Sequence, residues 1–293
     1  MSGASWPAPA KLNLFLHVTG QRADGYHELQ TLFQIIDLTD ELTIRLREDG
    51  RIVRSGTPVD GGPATDLVVR AARRLAAEAG VAVPGADIEL KKRIPVGAGL
   101  GGGSSDAATT LVALNELWGL GLGVDRLAAL GFELGADVPV FIHGASALAV
   151  GIGERLTPAH LAPAAFAVVF PGVSVRTSEV FQAPELTRNS PVITIPGFLS
   201  SDWPTRALPG RNDLEAVVLG REPEVRRALG WLKARGHARM TGSGAALFAA
   251  FATAAEAGAA LAGLPAEWSG FVVTGLAQSP LAARVAAERS GGR

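Results

Sequence analysis

The sequence predicts an α+β protein built in two parts, on three observations. A glycine-dense turn, Gly97 to Gly103, leads from a short charged strand into an apolar helix. After the Pro- and Ala-rich stretch Leu156 to Ala165, strands and helices alternate as β-α-β-β-α-β from Phe166 onward, the order of a split-βαβ, ferredoxin-like domain. Apolar residues make up 47% of the 293 and charged residues 19%, enough for sizeable cores and too little charge for a disordered chain. The boundary is expected at the Pro- and Ala-rich stretch, giving segments 1–158 and 159–293.

The first segment alternates polar and apolar from Lys11 to Leu14, as a half-buried strand does. Lys11 and Asn13 then share one face, with Leu12 and Leu14 on the other. Pattern alone leaves the polar pair as either a solvated face or part of a site. Gly20 to Glu28 is turn-rich and holds Tyr26, the one tyrosine of the chain, beside His27. Both read as ordinary loop residues as readily as recognition residues. Strands are expected at Leu29 to Leu38 and Asp40 to Arg47, followed by a turn-rich stretch to Pro63. A helix from Thr65 to Ala79 carries an apolar stripe at Leu67, Val68, Ala71, Ala72 and Leu75. Strand Asp87 to Ile94 then delivers the chain to the glycine turn.

Five of the seven residues from Gly97 to Gly103 are glycine, and Ser104, Ser105 and Asp106 follow at once. Glycine admits positive φ and lets the backbone approach a ligand closely. Ser104 or Ser105 is expected to cap the helix, whose first N–H groups and partial positive charge favour an anion, most often phosphate. A Walker A loop is excluded, because Gly103 stands where its lysine belongs. Gly97, Gly99 and Gly102 match the dinucleotide fingerprint, but the strand before them carries Lys91, Lys92, Arg93 and Pro95, and no strand leads to Asp125.

Asp125 is expected to cap a helix from Arg126 to Leu134. Asp137, in Gly135-Ala136-Asp137-Val138-Pro139, precedes an apolar run read as the start of a strand; it is either a catalytic base or a turn aspartate. Ala145 to Gly151 reads as a strand and Gly151 to Glu154 as a turn. Beyond the boundary a strand spans Phe166 to Phe170, and Thr177 is expected to cap a short helix that places Phe181 one turn on. Helices are expected from Gly210 and over Pro223 to Gly236. Met240 to Phe248 is a second glycine-flanked turn that enters a strand. A helix over Thr253 to Leu264 and a strand over Trp268 to Thr274 complete the core.

Composition narrows the functions. The chain has no cysteine, which removes disulfides and thiolate metal sites. A net charge of −1 argues against a nucleic-acid surface held by bulk electrostatics. No side-chain cation precedes Lys11, so no signal peptide is expected. The most apolar run, Ala245 to Leu264, is broken by Glu256, Gly258 and Gly263 and splits into a strand and a helix better than it spans a membrane. These features suit a cytoplasmic protein without nucleic-acid or membrane partners.

The run Pro95-Val96-Gly97-Ala98-Gly99-Leu100-Gly101-Gly102-Gly103-Ser104-Ser105-Asp106-Ala107-Ala108 resembles the phosphate-loop signature of the GHMP small-molecule kinases. The resemblance extends along the chain through Ala10-Lys11-Leu12-Asn13-Leu14, Arg22-Ala23-Asp24-Gly25-Tyr26-His27, Gly135-Ala136-Asp137, Asn212-Asp213-Leu214-Glu215 and Thr241-Gly242-Ser243-Gly244-Ala245. It implies a GHMP kinase fold: a domain like domain 2 of ribosomal protein S5, then a ferredoxin-like domain, with the site between them. It also implies transfer of the γ-phosphoryl of ATP, with Mg²⁺, to a small alcohol. Pro95 to Ser105 would hold ATP. Asp137 would accept the hydroxyl proton, with Lys11 against both groups. Tyr26 and Phe181 would sandwich a cytosine ring and His27 would hydrogen-bond its polar edge. Asn13 and Thr177 would touch the substrate's diphosphate or ribose, with Gly242 and Ser243 on the substrate side.

Tyr26-His27 after the Asp24-Gly25 turn points, within that resemblance, to a cytidine diphosphate-linked methylerythritol of isoprenoid precursor synthesis as the small-molecule substrate. A homoserine or mevalonate kinase is the alternative within the superfamily. A non-catalytic RNA- or ribosome-associated protein is the alternative outside it, disfavoured by the charge and the full loop. His143 stands where some members carry a basic residue. The Mg²⁺ ligands stay unassigned, because Asp106, the one carboxylate on the loop, is expected to face into the helix. A monomer or weak homodimer is expected.

Overall fold

The computed structural model describes residues 3–58, 62, 64–194 and 208–291. Part of the turn-rich stretch expected before Pro63, residues 59–61 and 63, lies outside the described residues.

Two long antiparallel strands, β1 (Ala4–Gln21) and β2 (His27–Arg47), form the spine. Their turn is closed by Asp24, whose Oδ1 accepts the Tyr26 N–H at 3.1 Å, while Gly25 takes φ +87°. The two strands expected over 29–47 are one, because Thr39 and Asp40 stay in the ladder opposite Pro9 and Ala8. Pro7 and Pro9 are tolerated in β1 because that strand pairs with β2 alone. The sheet continues in the order β3-β4-β2-β5-β6, with β3 (Ile52–Gly56), β4 (Gly85–Lys91), β5 (Ala147–Gly151) and β6 (Arg155–Pro158). Neither β3 nor β6 was expected. Each is four or five residues long, without the alternation that marks a strand.

Helices α1 (Leu67–Ala79), α2 (Gly102–Leu117), α3 (Val124–Phe132) and α4 (Val138–His143) belong with this sheet. The shared core includes Trp6, Phe33, Ile35, Leu75, Leu111 and Phe141. Each such side chain contributes about 1.5–3 kcal/mol on burial. Asp66 caps α1 by accepting the Val68 and Val69 N–H groups. Asp125 is not the cap of α3; Gly123 holds that position and Asp125 lies in the first turn. The apolar run after Asp137 is helix α4 rather than a strand. Pro139 sits in its first turn, where a missing N–H costs nothing, and Gly144 at φ +68° ends it.

The second sheet, β10-β7-β9-β8, is antiparallel throughout: β7 (Ala165–Phe170), β8 (Ala238–Met240), β9 (Leu247–Phe251) and β10 (Ser269–Thr274). With α5 (Thr177–Phe181), α6 (Glu215–Arg221), α7 (Pro223–Lys233) and α8 (Ala254–Ala260) it makes the expected β-α-β-β-α-β order with extra helices. Thr253 and Glu256 form a reciprocal capping box at α8. Thr177 does not cap α5, since Arg176 holds that position without a side-chain bond. The helix expected from Gly210 begins only at Glu215. Asn212 Oδ1 takes the Leu214 N–H and Asp213 Oδ2 the Val18 N–H, holding these residues in a turn against β1. An unexpected last helix, α9 (Pro280–Gly291), returns to the first sheet and places Leu281 in its core.

A third core joins the sheets: Leu12, Leu14, Phe15 and Ile36 meet Phe166, Val168 and Phe248, with Ile94, Ala98 and Leu100 alongside. This explains why β1 is not the half-buried strand its pattern suggested. Leu12 and Leu14 pack between the sheets, and the other face, with Lys11 and Asn13, is covered as well. Among the described residues no helix is long and apolar enough to cross a membrane.

Candidate active site

A cavity of about 760 Å³ opens between the two halves. The glycine turn forms one wall. Gly97, Gly99 and Gly101 take φ +68°, +76° and +74°. At Gly101 a Cβ would stand 2.8 Å from the Phe141 ring and 3.0 Å from Lys11 Cε, so both space and φ require glycine. The carbonyls of Gly97, Ala98 and Leu100 accept from the N–H groups of Val175, Ala246 and Lys11. Among the described residues, no N–H from Gly97 to Ser104 has a protein acceptor outside the helix. The turn is strapped down by its oxygens, and its donors remain available at the head of α2. That is the arrangement an anionic phosphate needs.

The serines do not cap α2 as expected. The helix is capped three residues before Ser104, by Gly101, with no side-chain bond. Pro95, Val96, Gly97, Ala98, Gly99, Leu100, Gly101, Gly102, Gly103 and Ser104 line the cavity, and Ser105 does not. The Ser105 N–H is taken by Gly101 O at 2.9 Å, and its hydroxyl is buried without a partner.

Packed against the turn, Lys11 Nζ lies 3.2 Å from Asp137 Oδ2. The lysine also donates to Asn13 Oδ1 at 2.5 Å and Gly99 O at 3.0 Å, which occupies its three protons. Its side chain is 3% exposed, whereas Asp137, at the N-cap of α4, keeps 36% exposure. Asn13 lines the cavity but is a support for Lys11 first. Its Nδ2 donates to Thr31 Oγ1 at 2.8 Å, and its N–H to Thr241 Oγ1 at 2.8 Å.

The far end carries rings from both halves. His27 stands 5.2 Å from Phe181, tilted by 31°, while Tyr26 is 61% exposed at the edge of the cavity. Arg188, which no sequence signal marks, donates from Nε to His27 Nε2 at 3.0 Å. Burial, then the Arg188 charge, lowers the His27 pKa. Thr177 Oγ1 and Ser243 Oγ are 2.7 Å apart at the wall, and Gly242 beside them is held by Asn212 Nδ2, which donates to its carbonyl at 2.8 Å. His143 is exposed and does not line the cavity.

A second lysine was also missed. Lys92 Nζ contacts Asp40 and, at 2.7 Å, Asp106. Asp40 Oδ1 further accepts the N–H groups of Arg93 and Ile94 at 2.5 and 2.8 Å. Asp106 therefore pairs with Lys92 instead of turning into its own helix. Burial pushes the Asp106 carboxyl up to about 7, with Lys92 opposing and Asp40 adding to the rise. Burial alone would lower the Lys92 pKa, but Asp106 and Asp40 outweigh it and raise it. The three residues are far apart in sequence and form no local pattern. Among the described residues, no three His, Asp or Glu side chains converge on a metal position.

The GHMP kinases N terminal domain matches residues 66–145 and the GHMP kinases C terminal matches residues 198–270. The chain is 56% identical to the 4-diphosphocytidyl-2-C-methyl-D-erythritol kinase of Cupriavidus necator, over 94% of each chain. It is 53% identical to that of Halorhodospira halophila, again over 94% of each. A crystal structure of 4-(cytidine 5'-diphospho)-2C-methyl-D-erythritol kinase superposes with a TM-score of 0.81 at 37% identity, covering 93% of this chain and all 100% of that one. The Methanococcus jannaschii mevalonate kinase superposes at 0.68 and 15% identity, covering 94% of this chain and 98% of that one, and shares the fold alone.

Proposed function

The chain belongs to the GHMP kinases, and from that premise we propose that it transfers the γ-phosphoryl of ATP to the 2-hydroxyl of 4-diphosphocytidyl-2-C-methyl-D-erythritol. The products are ADP and the 2-phosphate, an intermediate of the non-mevalonate isoprenoid pathway. The observation that carries this reading is the Lys11–Asp137 pair, 3.2 Å apart, in the same cavity as the unpaired loop N–H groups.

Phosphoryl transfer leaves the protein little covalent work; it must align the reactants and offset charge. The backbone from Gly97 to Ser104 holds the nucleotide phosphates. Asp137, at the head of α4 and open to the cavity, takes the proton of the attacking hydroxyl. Lys11 orients that carboxylate and balances the charge that develops beside it. Mg²⁺, when bound, would supply further neutralisation of the phosphate charge beside the loop from Gly97 to Ser104. Tyr26 and Phe181 flank the cytosine and His27 reads its edge, each stacking contact contributing about 1–3 kcal/mol. In this reading segment 1–158 carries the nucleotide and segment 159–293 completes the cleft.

The experiment is a coupled ADP-release assay with ATP and a panel of alcohols. The cytidyl alcohol is expected to be turned over, and homoserine and mevalonate are not. Turnover confined to either of those two would replace the substrate.

A further inference from the structure

Arg188 lies seven residues beyond the end of α5, outside every motif noted in the sequence. All three of its guanidinium nitrogens are engaged. Nε donates to His27 Nε2 at 3.0 Å, Nη1 to Leu186 O at 3.0 Å, and Nη2 to Phe181 O at 3.1 Å and Ala183 O at 2.8 Å. A guanidinium carries donors and no acceptor. His27 Nε2 must therefore present a lone pair, and an imidazolium is excluded from this contact. The neutral ring carries its proton on Nδ1. Nδ1 has no protein partner among the described residues, and His27 lines the cavity.

We propose that Arg188 is a positioning residue for base recognition: it locks His27 as an Nδ1–H donor, so that the site selects a ring whose facing atom is a hydrogen-bond acceptor. This rests on the cytidyl substrate proposed above. Cytosine N3 is an acceptor, whereas uracil carries a hydrogen on N3. A locked Nδ1–H facing that position accepts cytosine and sets two donors against each other with uracil. A site built around a hydrogen bond rejects such a mismatch strongly, because buried polar groups are left unpaired. An unlocked imidazole would move its proton to Nε2 and accommodate either ring. The same guanidinium grips the Phe181 carbonyl, so it also sets the spacing between a ring from the first half of the chain and one from the second.

Two variants separate the lock from simple packing. Arg188→Met keeps much of the side-chain length and removes every donor, and Arg188→Lys keeps a donor-only cation. Long-range proton–nitrogen-15 spectra of the free protein, with His27 assigned through His27→Gln, read the tautomer without any ligand. The parent and Arg188→Lys are expected to show the Nδ1–H form, and Arg188→Met a mixture with Nε2–H. In the ADP-release assay with matched cytidyl and uridyl alcohols, Arg188→Met is expected to lower the cytidyl-to-uridyl ratio of kcat/KM about tenfold or more. The change should fall on KM for the cytidyl alcohol rather than on kcat, and Arg188→Lys should restore most of the ratio. An Nε2–H or charged His27 in the parent, or an unchanged ratio in folded Arg188→Met, overturns the proposal. If the parent does not use the cytidyl alcohol at all, the substrate reading falls and the selectivity claim falls with it, whatever the tautomer.

Discussion

Lys11 and Lys92 stand against adjacent glycines of the same turn: a Cβ on Gly101 would meet Lys11 Cε at 3.0 Å, and one on Gly102 would meet Lys92 Nζ at 3.1 Å. Both lysines are buried and both face aspartate. At Lys11 there is one carboxylate, Asp137, which keeps 36% exposure and has no other partner among the described residues. At Lys92 there are two carboxylates, Asp40 and Asp106, which are 0% and 4% exposed. Burial of a charge pair therefore does not mark a reacting group. In the proposed mechanism the reacting carboxylate is the one held on one side and exposed on the other; Asp106 and Lys92 also line the cavity, but Asp106 is only 4% exposed. The Lys92 cluster instead pins the strand end that delivers the glycine turn, through the Arg93 and Ile94 N–H groups on Asp40.

The comparison breaks first, if it breaks, at Asp137. Asp137→Asn keeps shape and is expected to lower kcat by about 10²–10⁴ while leaving the thermal midpoint close to the parent's. Steady-state ADP release and a melting curve on the same sample decide it. Gly101→Val comes next, since it forces a β-branched residue into φ +74° and against Lys11. Calorimetric titration with ATP should show binding lost in a protein that still folds; parental affinity would remove the turn from the nucleotide site.

At the second lysine the effects should be on stability. Asp40→Ala leaves Lys92 short of a partner and strands two N–H groups, at an expected cost of about 3–5 kcal/mol in denaturant unfolding. A loss of under about 1 kcal/mol would mean that the cluster is not structural.

The smallest effect belongs to Asp106→Asn, and its sign depends on pH. The Asp106 pKa is raised in the folded chain to about 7, so the unfolded chain ionises first as pH climbs. The contribution of Asp106 to stability is intact below about pH 4 and is lost progressively up to about pH 7. Asparagine never ionises. The variant should match the parent near pH 4 and become the more stable of the two as pH rises towards 8. A difference that does not change with pH would show that Asp106 has an ordinary carboxyl.

How much of this was readable beforehand follows from range. The glycine turn was legible because its chemistry is contiguous: backbone donors, positive φ and a helix start lie within ten residues. The β-α-β-β-α-β order was legible for the same local reason. Thr177 and the two serines read as caps but do not cap, because capping preference is weak when tertiary contacts compete: Thr177 meets Ser243, and α2 starts earlier. Asp137 was read at the start of a strand because Val138 to Ile142 is apolar throughout, and a short buried helix has no periodicity to distinguish it. Lys92 with Asp40 and Asp106, and Arg188 with His27, could not be found from spacing. Their members are brought together by sheet pairing and by the packing of the two halves.

The most direct test is one side-by-side measurement: initial rates of ADP release at saturating ATP and 4-diphosphocytidyl-2-C-methyl-D-erythritol for the parent, Asp137→Asn and Asp106→Asn. The open pair should be the reacting one, so Asp137→Asn is expected to fall by about a hundredfold or more, and Asp106→Asn to stay within a few-fold of the parent. Parental turnover by Asp137→Asn, or an equal collapse of both variants, would contradict that assignment.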